Sequence, residues 1–190
     1  MSNETKAAII KKLSIRNGLL IGGISIVLSL IFWVVNPLLQ YTNTWVSLLM
    51  LVVVILWLVV LGTEVRKAVG GYWTFGEAFK SLFITSVLTA VLSVVFGFIL
   101  LKFIDPTLPA RITEAVQANL AERFSNSGMS QDKIDEINKS LEGKFDPTFK
   151  NIATNLGIGI VVYIIIDLII AAIIKKNPPI VMIVEEDPTV

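Results

Sequence analysis

The chain has 190 residues, 54% of them hydrophobic and 16% charged, with a formal net charge of +1. That composition belongs to an integral membrane protein with small soluble parts, and it leaves no dense basic face for nucleic acid. With neither cysteine nor histidine in the chain, disulfides, thiol chemistry, zinc or haem sites drawn from those residues and histidine-based triads are excluded, and no cofactor is implied.

Residues 17–63 contain no charged side chain. A run of that length is too long for one crossing, and it breaks at Asn36-Pro37 and again over Gln40 to Thr44. It predicts two membrane-spanning helices, over about residues 15–37 and 44–63, joined by a short uncharged turn. Residues 1–16 resemble the basic region of a signal peptide. The apolar stretch behind them is too long for one and has no Ala-x-Ala-like cleavage site, so the first helix is expected to be retained.

Two more apolar stretches follow, Ser81 to Leu101 and Ile152 to Ile174. At ~1.5 Å per residue each crosses the ~30 Å hydrocarbon core. The third helix is expected over about 75–103. Thr74-Phe-Gly-Glu77 has capping-box spacing, which starts that helix near Phe75 and lets Lys80 snorkel to the headgroups. The fourth is expected over about 147–176, with Asp146 as N-cap and Pro147 in the first turn. Asp-Pro-Thr recurs at 105, 146 and 187, but the segments between share no pattern, so it reads as turn chemistry.

Between the third and fourth helices, residues 107–145 show two helical stripes: Ile112, Val116, Leu120 and Phe124, then Ile134, Ile137, Leu141 and Phe145. Ser125 to Gly128 reads as a turn between them, Ser130 as an N-cap, and Met129 as a staple onto Ile134. Neither helix can bury its stripe alone, so the two pack on each other, on the membrane surface or on a partner.

Charge sets the expected topology. Lys6, Lys11, Lys12 and Arg16 hold the N-terminus in the cytoplasm, Arg66, Lys67 and Lys80 mark an inner loop, and Lys175 and Lys176 end the fourth helix inside. Residues 102–150 then lie outside; their seven Lys/Arg are accompanied by eight Asp/Glu. Trp33, Tyr41 and Trp45 mark an outer aromatic belt and Trp57, Tyr72 and Trp73 an inner one. The tail, 177–190, is too short to span. It reads as flexible, with strand addition to a partner as the alternative.

Gly18, Gly22, Ser25 and Ser29 on the first helix and Ser86, Ala90, Ser93 and Gly97 on the third share one spacing. Each set makes a narrow face, and the two faces are expected to pack together as small-x-x-x-small motifs do. Asp167 is the costly residue: it lies inside the fourth helix, about 12 Å before Lys175, where a carboxylate costs on the order of 3 kcal/mol. No Lys or Arg is available at that depth to pair with it. Ser25, Ser86, Thr89, Trp57 and Tyr163 are its candidate hydrogen-bonding neighbours. The functional reading is a proton or cation site; the structural reading is an acid held neutral by hydroxyls, joining helices.

Gly71-Tyr-Trp-Thr-Phe-Gly-Glu-Ala-Phe79 before the third helix, Phe103-Ile-Asp-Pro106 after it, the charged insertion and Lys175-Lys-Asn-Pro-Pro179 form one pattern across nearly the whole chain. It resembles the bacterial family catalogued as domain of unknown function 4199. The resemblance implies a small four-helix inner-membrane protein and supplies no activity, substrate or site residue.

The fold expected is an all-α membrane protein of one domain, 1–190, with four transmembrane helices, N-in and C-in, and an extracytoplasmic two-helix hairpin between helices three and four. The leading function is a non-enzymatic structural or accessory role in the inner (cytoplasmic) membrane, with the lipid bilayer and a protein partner or second copy as contacts. The alternative is an oligomeric proton- or cation-coupled carrier using Asp167. A membrane enzyme using Asp105, Asp146 and the loop acids stands third, because nothing in the sequence brings them together.

Overall fold

Apolar helices of full membrane length dominate the computed structural model, which describes residues 2–125 and 130–177. Among the described residues four helices are long and apolar enough to cross a membrane. They are α1 (Asn3–Val35), α3 (Thr44–Ala68), α4 (Phe75–Ile99), which continues as a π-helical segment Leu100–Ile104, and α7 (Phe149–Ile174). A single turn, α2 (Leu39–Thr42), joins α1 to α3, while α5 (Leu108–Ser125) and α6 (Gln131–Leu141) lie between α4 and α7 in sequence. The turn expected over 125–128, the Met129 staple and the tail beyond Asn177 fall outside the described residues.

The helix starts follow local chemistry. Thr74 and Glu77 form a reciprocal capping box, with the Glu77 amide donating to Thr74 Oγ1 at 3.3 Å and the Thr74 amide donating to Glu77 Oε2 at 2.7 Å. Asn43 caps α3 by accepting from the Trp45 and Val46 amides. At α7 the cap is Thr148, which accepts from the Asn151 amide, and not Asp146. The Thr148 amide turns back to the Asp146 carbonyl, and Asn151 Nδ2 donates to the same carbonyl, so Asp146-Pro147 ends the preceding turn. Ser130 occupies the N-cap of α6 without a side-chain cap bond.

Helix α1 begins about three turns before the expected residue 15. Its polar first turns are helical because they pack: Ile10 is buried, and Lys6 Nζ reaches Glu77 Oε2 at 2.8 Å. Helix α3 likewise runs past residue 63 to Ala68, where Glu64 pairs with Arg16 at 2.9 Å.

Helix α4 is the centre of the bundle, packed along α1 on one side and along α7 on the other, whereas α3 makes lighter contact with all three. The α1–α4 approach is close because Gly18 and Gly22 lack a Cβ. One built on Gly18 would lie 2.9 Å from both Leu88 Cβ and the Thr85 carbonyl oxygen, and one on Gly22 would lie 2.6 Å from Leu92 Cδ1. The opposing face of α4 is therefore Thr85, Leu88 and Leu92, not the expected Ser86, Ala90, Ser93 and Gly97. Ser86 turns to α7, and Gly97 meets nothing within 4 Å of a built Cβ.

At one end of the bundle the Gly70-Gly71 turn brings Trp73 under the C-terminus of α7. Both glycines have positive φ, +96° and +82°, a backbone region that side chains with a Cβ rarely adopt. Trp73 is fully buried; its indole donates to the Ile174 carbonyl at 3.0 Å, and Arg66 donates to the same oxygen at 2.8 Å. Trp73 and Lys176 also exchange backbone hydrogen bonds. Trp73 is thus a core residue that caps α7, not part of an aromatic belt. Two donors answer a helix-end carbonyl that has no partner within its own helix.

At the other end Asp105 gathers three donors: Trp33 Nε1 at 3.2 Å, Thr107 Oγ1 at 2.7 Å and Arg111 at 3.4 Å. A small second core of Leu100, Leu108 and Ile112 sits beside it, with Trp33, Leu38 and Phe145 packed around. The start of the α5 stripe is thereby covered by the end of the bundle: Ile112 is buried there and Val116 is half-buried beside it. Gln117 also donates to the Asn138 carbonyl of α6 at 3.0 Å, so α5 touches both the bundle and α6.

Candidate functional site

Ser14, Asn17, Ser81, Thr85, Ser86, Thr89 and Asp167 are all buried, and they form a polar seam along α4. Three of the α4 hydroxyls repeat every four residues, Ser81, Thr85 and Thr89, so they share one helical face. That face meets α1. Ser14 and Ser81 hydroxyls lie 2.8 Å apart, Thr85 Oγ1 reaches the Ser14 carbonyl at 3.2 Å, and Thr89 Oγ1 reaches the Gly18 carbonyl at 3.3 Å. Thr85 and Thr89 also point back to the carbonyls one turn earlier, at 3.0 and 2.9 Å.

Asp167 lies on the opposite side of α4, where α7 packs. Its side chain is wholly buried, and Oδ1 accepts from Ser86 Oγ at 3.0 Å. Oδ2 is buried and has no hydrogen-bond partner among the described residues. An orphaned buried oxygen is uncommon and calls for an explanation. Tyr163, one turn back on α7, is near the carboxyl but makes no hydrogen bond to it.

The six residues proposed as one polar cluster therefore divide into three groups. Asp167, Ser86 and Tyr163 adjoin one another between α4 and α7. Thr89 is turned to α1 and bonds the Gly18 and Thr85 carbonyls. Ser25 and Trp57 line a cleft between α1 and α3 instead. The division follows from helical geometry: Ser86 and Thr89 are three residues apart, and in a helix this close-packed a 60° difference in direction selects a different neighbour.

Depth along the helices points to Ser86 and Thr89; the sequence signal for Ser81 and Thr85 is the four-residue hydroxyl repeat, and Ser14 is marked only by its contact with Ser81. Among the described residues no three Asp or Glu side chains gather into a group able to hold a metal ion. Interhelical hydrogen bonds inside membranes average about 0.6 kcal/mol each. The seam thus fixes which faces meet more than it supplies bulk stability.

The motifs that carried the family resemblance have a shared physical role. Gly71-Tyr-Trp-Thr-Phe-Gly-Glu contains the α7 clamp and the α4 capping box, and Phe103-Ile-Asp-Pro contains the Asp105 junction. They hold helix ends. No curated protein and no solved structure matches the chain. One family model does, described as protein of unknown function DUF4199, and it matches residues 16–176. With its four apolar helices and both junction motifs inside that match, the chain belongs to the DUF4199 family.

Proposed function

We propose that this protein is a non-enzymatic accessory protein of the cytoplasmic membrane, with both termini in the cytoplasm and α5 and α6 outside it. The observation that carries the reading is the use of the buried hydroxyls. Ser14, Ser81, Thr85, Ser86 and Thr89 are each engaged within the bundle, by a neighbouring helix or a carbonyl one turn back. Groups fixed in this way join helices and leave no line of free hydroxyls along the α4 seam for a moving ion. The orientation is supported by the basic residues at the Trp73 end, Lys11, Lys12, Lys67 and Lys80 among them, against the mixed charges around α5 and α6. The exposed charged surface of α6, with Asp132, Lys133, Asp135 and Glu136, is the surface offered to a partner.

A second reading rests on Asp167 Oδ2, whose missing partner would be supplied by a proton or a monovalent cation in a coupled carrier. Two experiments separate the readings. A stoichiometric partner recovered from native membranes supports the accessory role. Proton flux in vesicles containing only this protein, abolished by Asp167→Asn, would replace it with the carrier. The orientation is tested by single cysteines introduced into the cysteine-free chain: a membrane-impermeant reagent applied to intact cells should label position 118 on α5 and not position 70.

A further inference from the structure

We infer that the cleft between α1 and α3 binds an uncharged, chain-bearing lipid whose carbonyl oxygens accept hydrogen bonds from Ser25, Ser29 and Ser93. The cleft has a volume of about 460 Å³, within the usual range for small-molecule sites. Its origin is geometric. Gly62 brings α3 close to its neighbours, with Ile174 Cδ1 2.8 Å from a built Cβ and Leu82 Cδ2 3.3 Å away. Beyond that point α3 has no comparable glycine, and bulky Met50, Val53 and Trp57 line the space that opens against α1.

The lining contains no charged residue. Its polar groups are Ser25 and Ser29 of α1, Ser93 of α4, Gln40 of α2 and the Trp57 indole. Unlike the seam hydroxyls, those of Ser25, Ser29 and Ser93 have no hydrogen-bond partner among the described residues. Each can turn to the carbonyl one helical turn back when the cleft is empty, so recruiting it to a ligand costs little. Ser25 lies about 13 Å along α1 from Arg16 at ~1.5 Å per residue, near the middle of the hydrocarbon layer.

Three donors within the hydrocarbon layer select the ligand. A saturated acyl chain offers them no acceptor, an anion would meet no cation, and a cation would meet no carboxylate. A neutral ring bearing carbonyls fits: its oxygens meet the serines, its face lies against Trp57 or Phe32, and its chain follows the apolar wall. The site is separate from Asp167, and its test does not depend on the reading proposed for the bundle.

The full-length protein in detergent would be heated with decyl-benzoquinone and, in parallel, with decylbenzene, which has the same chain and a ring without carbonyls. Decyl-benzoquinone at about one hundred times its Kd should raise Tm by roughly 5–10 °C, and decylbenzene should not. The triple variant Ser25→Ala/Ser29→Ala/Ser93→Ala should keep the ligand-free Tm, since none of these hydroxyls holds the bundle together, and should lose the shift. If the triple variant does not fold, the single variants Ser25→Ala and Ser93→Ala should each weaken binding about 2–10-fold. Equal shifts from both probes, no shift with the quinone, or an undiminished response in the serine variants would each overturn the assignment. The first of these outcomes marks a cleft filled by any chain or by a neighbouring helix.

Discussion

Adding one methyl group at Gly18 should loosen the α1–α4 pair, and the same addition at Gly23 should not. A Cβ at Gly18 meets Leu88 Cβ and the Thr85 carbonyl oxygen, both at 2.9 Å, and neither is the free end of a flexible side chain. The backbones must separate, which also lengthens the 3.3 Å bond from Thr89 to the Gly18 carbonyl. Overpacking of this kind costs about 1–3 kcal/mol. Alanine returns ~1 kcal/mol of helix propensity, so the net loss should be about 0–2 kcal/mol. At Gly22 the nearest atom is Leu92 Cδ1 at 2.6 Å, the end of a side chain that can rotate away, and Gly22→Ala should fall between the two. At Gly23 nothing lies within 4 Å, so only the propensity gain remains. Thermal unfolding in detergent reads the order. Taking roughly 2–4 °C per kcal/mol for a chain of this size, Gly18→Ala should lower Tm by up to ~8 °C while Gly23→Ala leaves it unchanged or higher. Equal shifts for Gly18→Ala and Gly23→Ala would refute the close approach.

Asp167→Asn should keep the bond from Ser86 and change stability little, whereas Asp167→Leu strands Ser86 Oγ and should cost ~1–3 kcal/mol, measured by denaturation in mixed micelles. Trp73→Phe removes one of two donors to the Ile174 carbonyl and should cost about 1 kcal/mol, while Trp73→Ala, which also opens a cavity, should cost about 3–5 kcal/mol; indistinguishable melting curves for the two would contradict the buried clamp. Asp105 is held below the usual carboxylate range by the Thr107 hydroxyl, then by the Trp33 indole and the Arg111 charge, against the opposing effect of partial burial. A depressed acid stabilises the fold above its unfolded pKa and loses that contribution as pH falls through the folded one, below about 4. The Tm difference between the native chain and Asp105→Asn should therefore shrink as pH is lowered from 6 to 3, and a difference that stays constant would show that Asp105 does not act through its charge.

Those features that depend on composition along the chain were legible without coordinates. The charge-free run 17–63 and the two later apolar stretches dictate four membrane-length helices, because a charged group in hydrocarbon costs several kcal/mol wherever the helix packs. The capping box at Thr74 was equally legible, since both partners lie within one turn. Other features needed the tertiary structure. Hydropathy places Trp73 at an interface, but only the approach of α7 reveals an acceptor for its indole. Depth placed Ser25, Ser86 and Thr89 at one level, whereas helix rotation decided that Ser86 meets Asp167, Thr89 meets α1 and Ser25 opens into a cleft. The same holds for α1, whose polar first turns lie outside the helix expected from residue 15 and are fixed by Glu77, far along the chain, as the partner of Lys6. Sequence determines how deep a residue lies, because depth follows from rise per residue; which neighbour it faces depends on rotations that apolar helices of nearly uniform surface leave open until they pack.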